Sequence, residues 1–451
     1  MANYEQKVPG TATSKMLKNS TRRDFLKQSS AIATGAMILP QIIPSTALGM
    51  GGKLPPSDRI VMGGIGLGGQ GTNNLRDFLT RGKELQFVSV CDVDTNHSAK
   101  AKGLIDEVNK NSDCRTYGDY REFLEKEKLD AVSIALPDHW HGLIYCAAAN
   151  KKLDIYGEKP LARTIHDSQA IVKAVKKNNI VWQTGSWQRS VEHFRRGAEL
   201  AINGRAGKIT RVEVGLPDGP KGIGTPPVMD IPAGLNWEMW LGPAPKVPFR
   251  GVCHGDWRWM LDYSGGQLTD WAGHHIDIAQ WGLGLERSGP VEISGRGAYP
   301  LDGLYNVPFE YDFNCKYANG IGMRVANESR LGKGVSVTWY GEKGWIRVSR
   351  GGIRASDPKI LEEVIGENEI HLYKSDNHIG NFLECIKSRG ETVAPAEIAH
   401  RSISVGLLGE IAMTTGQKIQ WDPVKEEIVG NTYANRLLNR PCRQPWNKVT
   451  I

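Results

Sequence analysis

Between residues 59 and 184 the chain alternates two kinds of apolar pattern. Residues 60–62, 87–90, 131–136, 153–156 and 180–183 form short apolar runs, the pattern of strands buried in a sheet. Segments 73–79, 96–109, 120–126, 141–149 and 165–178 lie between them and predict helices from apolar residues recurring at three- and four-residue spacing. Strands and helices in strict alternation predict an α/β fold, a doubly wound parallel sheet with helices on its faces.

Past residue 184 the period changes. Segments 209–215, 291–297, 309–317, 322–327 and 335–339 predict longer, half-exposed strands. Phe309, Tyr311, Phe313, Cys315 and Tyr317 alternate with Glu310, Asp312, Asn314 and Lys316; a period of two puts the aromatics on one buried face of an antiparallel sheet. Residues 217–255, rich in proline and glycine, read as a long surface loop carrying Trp237 and Trp240. Segments 381–387 and 400–414 predict helices that return to cover a sheet, and the tail reads as irregular. The expected organisation is a leader over 1–49, a nucleotide-binding domain over 56–185, a second α/β domain over 186–425 and a tail over 426–451.

The junction of the first strand and helix reads Gly66-Leu67-Gly68-Gly69-Gln70-Gly71. In G-x-G-x-x-G the first glycine makes a tight turn, the second admits a pyrophosphate and the third lets helix pack on strand. The helix N-terminus then offers N–H donors to the phosphates. Asp92 follows the second apolar run, about twenty residues on, where a carboxylate accepts from the ribose hydroxyls and repels a 2′-phosphate. With no arginine in Val93-Asp94-Thr95-Asn96, the expected cofactor is NAD in preference to NADP.

The N-terminus adds a different signal. Arg22-Arg23 precedes Phe25-Leu26-Lys27, a modest apolar run over 31–39 and small residues at Ser45-Thr46-Ala47. The run is too short for a membrane span, and the whole resembles a twin-arginine export signal. Of the formal charge of +7, the first 49 residues hold six basic and two acidic groups. What remains is a weakly charged chain without the basic stripe that nucleic acid requires. The seven cysteines are scattered without C-x-x-C spacing, which argues against a disulfide framework or a zinc site. Export in the folded state implies that the cofactor is loaded beforehand and retained under a covering segment, either the arm before Asp58 or the 217–255 loop.

Three groups of residues offer chemistry. Gly157-Glu158-Lys159-Pro160 follows a strand at the carboxyl end of the sheet, where ligands bind; Lys159 can donate to a substrate hydroxyl. Asp270, His274 and Asp277 fall on one face of a predicted helix, so Asp270 is expected to orient His274 as a general base. Pro137-Asp138-His139-Trp140-His141 closes another strand, one histidine capping a helix and one facing the nicotinamide. No histidine spacing here matches a zinc motif, and no metal is expected.

Together the glycine turn, Asp92, Glu158-Lys159-Pro160 and the Gly-Gly-x-x-x-Asp-x-x-x-His pattern ending at His274 resemble the Gfo/Idh/MocA oxidoreductase family. The likeness implies a Rossmann domain followed by an α/β domain with an open, mainly antiparallel sheet, often used for homo-oligomerisation as a dimer or tetramer. It implies Lys159, Asp270 and His274 as the catalytic set. Gly66, Gly68, Gly69, Gln70, Gly71, Asp92, Pro137, His141, Glu158 and Gln188 are expected at the cofactor. His139, Trp187, Arg189, Trp257, Arg258, Tyr263 and His275 are expected at the substrate. The implied reaction is oxidation of a ring hydroxyl of a sugar, glycoside or cyclitol. One alternative is a glycosidase that oxidises, eliminates and re-reduces, though that group lacks the E-K-P lysine. The other is a non-catalytic periplasmic sugar-binding protein.

Overall fold

The computed structural model of the protein describes residues 58–251 and 255–446; the export signal falls outside the described residues. Strands β1 (Ile60–Ile65), β2 (Leu85–Cys91), β3 (Arg115–Tyr117), β4 (Ala131–Ile134), β5 (Asp154–Gly157) and β6 (Trp182–Thr184) form a parallel sheet in the order β3-β2-β1-β4-β5-β6. Helices α1 (Gly69–Leu79), α2 (Thr95–Asn109), α3 (Tyr120–Lys126), α4 (Asp138–Asn150) and α5 (Ile165–Asn178) connect successive strands. Every residue of β4, β5 and β6 is buried, including the polar Asp154, Gln183 and Thr184. The pattern did not predict β3, a short edge strand whose side chains are largely exposed. The strand order reverses between β1 and β4, and this opens a crevice at their carboxyl ends.

The second sheet has nine strands: β7 (Ile209–Leu216), β8 (Glu292–Ala298), β9 (Glu310–Lys316), β10 (Gly322–Asn327), β11 (Ser336–Gly341), β12 (Gly344–Ser349), β13 (Gly352–Ala355), β14 (Ile419–Asp422) and β15 (Glu427–Ile428). Its order is β13-β12-β11-β7-β10-β9-β8-β14-β15, with β7 and β10 parallel and the other pairs antiparallel. Tyr311, Phe313, Cys315 and Tyr317 are buried while Asn314 and Lys316 are exposed, as the two-residue period requires.

Helix α6 (Glu192–Ile202) leads from the first sheet into the second, α7 (Trp237–Leu241) lies in the long loop, and α8 (Gly266–Trp271) and α9 (Asp277–Trp281) flank a π-helical turn, Ala272–Ile276. Helix α10 (His378–Ser388) packs on the first sheet, its Phe382 against Phe78 and Tyr156. Helix α11 (Ala396–Thr415) is buried along nearly its whole length because it packs on α5, β8 and the π turn at once. A Cβ on its Gly409 would come within 2.6 Å of the Phe313 ring, so the close approach of helix to sheet depends on that glycine. The tail departs from its irregular reading: β15 and a final helix, α12 (Thr432–Arg436), lie within it, and Trp446 packs edge-on against Trp140.

Candidate active site

Main-chain geometry at the switch point follows the glycine pattern. Gly66 has φ +79°, and a Cβ there would meet the Ala135 carbonyl oxygen at 2.2 Å. A Cβ on Gly71 would lie 1.8 Å from the Gly66 carbonyl oxygen. Gly68 and Gly69 differ: the nearest atom to a Cβ on Gly68 is 3.7 Å away, and nothing lies within 4 Å at Gly69. These two line open space, and no side chain caps the N-terminus of α1 beside them. Free N–H donors around an open glycine pair fit a dinucleotide pyrophosphate. The cleft encloses about 380 Å³ and also includes Asp92, His97, Pro137, Glu158, Lys159 and Arg258.

Asp92 is held rigidly at the end of β2. Its carboxylate accepts from Leu67 N–H at 2.6 Å and Asp94 N–H at 2.9 Å, and the His97 ring lies 3.5 Å away. The Asp92 carboxylate, through this contact, raises the His97 pKa above its ordinary value. His97 sits in the first turn of α2 and was not singled out by the sequence reading. Glu158 Oε1 accepts from Asn74 at 2.9 Å and Gln70 at 3.2 Å, and burial pushes its carboxyl pKa up despite the neighbouring Lys159.

Residues 234–240 of the long loop border this cleft. Thr95 N–H donates to Gly234 at 3.0 Å and Asn236 N–H to Val93 at 2.9 Å, which straps the loop to the end of β2. Trp237 and Trp240 stack at 4.8 Å, and Met239 and Trp240 line the cleft.

At the carboxyl end of β5, Lys159 donates to Asp270 Oδ1 at 2.8 Å, each side chain only 14 % exposed. Arg258 Nε reaches the same oxygen at 3.5 Å, its guanidinium over the Trp257 ring. Burial opposes charge on Asp270, yet Lys159 and Arg258 outweigh it and hold the carboxyl below the usual carboxylate range. Gly273 makes room for the lysine, since a Cβ there would lie 3.0 Å from Lys159 Cβ. His274 is 3 % exposed between the rings of Trp187 and Trp271, and its Nδ1 has no partner among the described residues. Burial, then the charges of Lys159 and Arg350, keep it neutral well below the ordinary histidine pKa.

Several expected roles change. Asp270 binds Lys159, not His274: the π turn at Ala272–Ile276 widens the helix, so residues four apart no longer align. Asp277 points elsewhere, forming a buried bidentate pair with Arg189 at 2.6 and 2.8 Å. Arg189 is therefore structural, with Glu286 and the Trp281 ring completing its surroundings. His275 is buried against Trp271 and Phe194, away from the cleft. His139 and Tyr263 pack on Trp240 and fasten the strap, with His139 Nε2 3.2 Å from the Trp240 carbonyl. His141 does not line the cleft; its nitrogens face the carbonyls of Pro160 at 2.7 Å and Leu136 at 2.9 Å and so position the Lys159 turn. Gln188, turned to satisfy both neighbours, donates to the His274 carbonyl at 3.1 Å and accepts from Arg350 at 3.2 Å. Trp187, 39 % exposed, remains beside His274, and Trp257 and Arg258 line the cleft. Arg350 was missed altogether: it lies between β12 and β13, remote in sequence from every motif, and no local pattern marks it.

A glycine-turn nucleotide cleft lined by Lys159, with Asp270 bound to that lysine and buried His274 four residues further on, is the arrangement of a dinucleotide-dependent oxidoreductase. Asp270 and His274 themselves lie behind the cleft lining. The sequence matches two descriptions of one family: the oxidoreductase family NAD-binding Rossmann fold over 59–186, and its C-terminal alpha/beta domain over 221–448. The chain belongs to the Gfo/Idh/MocA oxidoreductase family. It is 23% identical over 389 residues to scyllo-inositol 2-dehydrogenase (NAD(+)) of Bacillus subtilis, covering 81% of this chain and 97% of that protein. It is 29% identical over 250 residues to levoglucosan dehydrogenase of Pseudarthrobacter phenanthrenivorans, covering 51% of this chain and 57% of that one. Among solved structures, the WlbA dehydrogenase of Bordetella pertussis, in complex with NADH and UDP-GlcNAcA, shares the fold. Its TM-score is 0.60 at 17% identity, covering 81% of this chain and 99% of that one.

Proposed function

We propose that the protein oxidises a ring hydroxyl of a sugar, glycoside or cyclitol to the ketone, is exported through a twin-arginine signal, and keeps its NAD through turnover. The observation that carries this reading is the pair of Asp270 with Lys159, which follows a strand of the sheet that carries the glycine turn, near His274, whose Nδ1 has no partner among the described residues. Gly66, Gly68, Gly69, Gly71 and Asp92 would hold the nucleotide, with Gln70 and Glu158 between it and the substrate. Nicotinamide, when bound, supplies the hydride acceptor. Lys159, held by its ion pair with Asp270, donates to the reacting oxygen and stabilises the developing alkoxide. His274, kept neutral by burial, accepts the hydroxyl proton. Asp92 supports NAD over NADP because a 2′-phosphate would face its carboxylate. The strap at Gly234 and Asn236 supports cofactor retention, since its backbone bonds must open before a nucleotide leaves.

The test uses protein purified without added cofactor. Bound nucleotide should be NAD, and a panel of sugars, glycosides and cyclitols should reduce it in one turnover, with mass spectrometry showing a product two hydrogens lighter. Release of aglycone without net oxidation would favour the glycosidase. Binding with no reduction by any compound would favour the sugar-binding protein.

A further inference from the structure

The hairpin between β12 and β13 places Arg350 against the residues around His274. Its guanidinium carbon lies 4.9 Å from the Trp187 ring centroid and 4.3 Å from that of Trp271. The same two rings flank His274. Arg350 Nε is taken by Gln188, whose amide also grips the His274 carbonyl. The guanidinium is thus held from one side and by two rings. Among the described residues no carboxylate lies within ion-pair distance of it. Among the described residues the two buried arginines each meet a carboxylate with both arms of the fork, Arg163 with Glu410 and Arg189 with Asp277, whereas Arg350 is exposed and leaves its fork open to solvent beside the two rings.

The charge around the site is unbalanced as well. Lys159 and Arg258 share the single carboxylate of Asp270, and Arg350 adds a third cation. The Glu158 carboxyl is engaged by Asn74 and Gln70, and burial pushes its pKa up. A neutral polyol needs no fixed guanidinium with its fork unengaged, whereas a planar fork on aromatic rings suits bidentate binding of an oxyanion.

We propose that Arg350 is a substrate-binding residue that receives an anionic substituent, a carboxylate or a phosphate ester, on the sugar that is oxidised, with Trp187 offering its face to the ring. This rests on the oxidoreductase reading above. The substrate class is then an acidic sugar or sugar phosphate, in place of a neutral polyol.

The experiment compares glucose, glucuronate and glucose 6-phosphate, and the equivalent galactose and mannose sets, on the holoenzyme. Reduction of bound cofactor gives kcat/KM, and quenching of tryptophan fluorescence gives affinity independently of turnover. In one of the sets the wild type should favour an anionic member by at least about tenfold, and Arg350→Met should bring that ratio to near unity, with Arg350→Lys between them. Preference for the carboxylate or for the phosphate identifies the group. No anion preference in the wild type, or a ratio unchanged by Arg350→Met, overturns the proposal. Failure of every sugar to reduce the cofactor would remove the oxidoreductase reading, while the fluorescence titration would still test Arg350.

Discussion

The carboxylate that Lys159 binds, Asp270, is 111 residues away in sequence. The pairing makes Asp270 a residue that acts through lysine. Asp270→Asn should lower kcat by about 10², since Lys159 loses the carboxylate that holds its ammonium in place. A change in KM with kcat retained would assign Asp270 to packing alone. His274→Ala should abolish cofactor reduction while bound nucleotide, measured by extraction, stays at wild-type stoichiometry. Loss of nucleotide in that variant would place His274 at the cofactor.

At the scale of elements, the strap and the π turn matter most. Asn236 donates its N–H to Val93 and caps α7 through the Met239 N–H, so Asn236→Pro removes the cross-strap donor and the side-chain cap together. The variant should fold, because the two sheets do not depend on this segment, yet lose NAD on dialysis that the wild type survives. Equal retention by both proteins would show that the strap does not govern release. The π turn accounts for a failed expectation: a regular helix would bring Asp270 over His274, whereas the wider turn leaves His274 Nδ1 unpartnered and Asp270 facing Lys159.

For the whole molecule, titration of enclosed groups sets the response to acid. Burial lowers His139 and His275 to about 3 and His141 and His378 to about 4, with His274 also well below normal. Each is neutral when folded and charged when unfolded between pH 5 and 6.5. The unfolded chain then binds more protons, and stability rises with pH by about 1.4 kcal/mol per unit for each group. Asp138, Glu158 and His97 work in the opposite sense: burial raises the two carboxyls, Asp138 to about 7, contact with Asp92 raises His97, and the folded chain holds their protons more tightly. The lowered histidines outnumber them, so Tm should climb from pH 5 to 7; a flat or falling profile would contradict the neutral-histidine assignment. Export belongs to this scale too: Arg22→Lys with Arg23→Lys should keep the protein in the cytoplasm, as fractionation would show. Light scattering should give a dimer or tetramer, because helices cover one face of the nine-stranded sheet and the other carries half-exposed side chains.

The amino-acid sequence by itself determined what depends on neighbours along the chain. Apolar period set the strands and helices, and Gly66 to Gly71 set the turn, because a positive φ and two close backbone approaches exclude any side chain. The position of Lys159 at a strand end was legible for the same reason. Tertiary structure alone decided which charges meet. It joined Asp270 to Lys159 and Arg258, turned Arg189 and His275 inward, made His139 and Tyr263 fasteners of a strap, and brought Arg350 from a distant hairpin to the rings beside His274. Such pairings join different elements, 111 residues apart for Lys159 and Asp270 and 88 for Arg189 and Asp277, or follow from a single widened helical turn, and neither leaves a periodic trace in the chain.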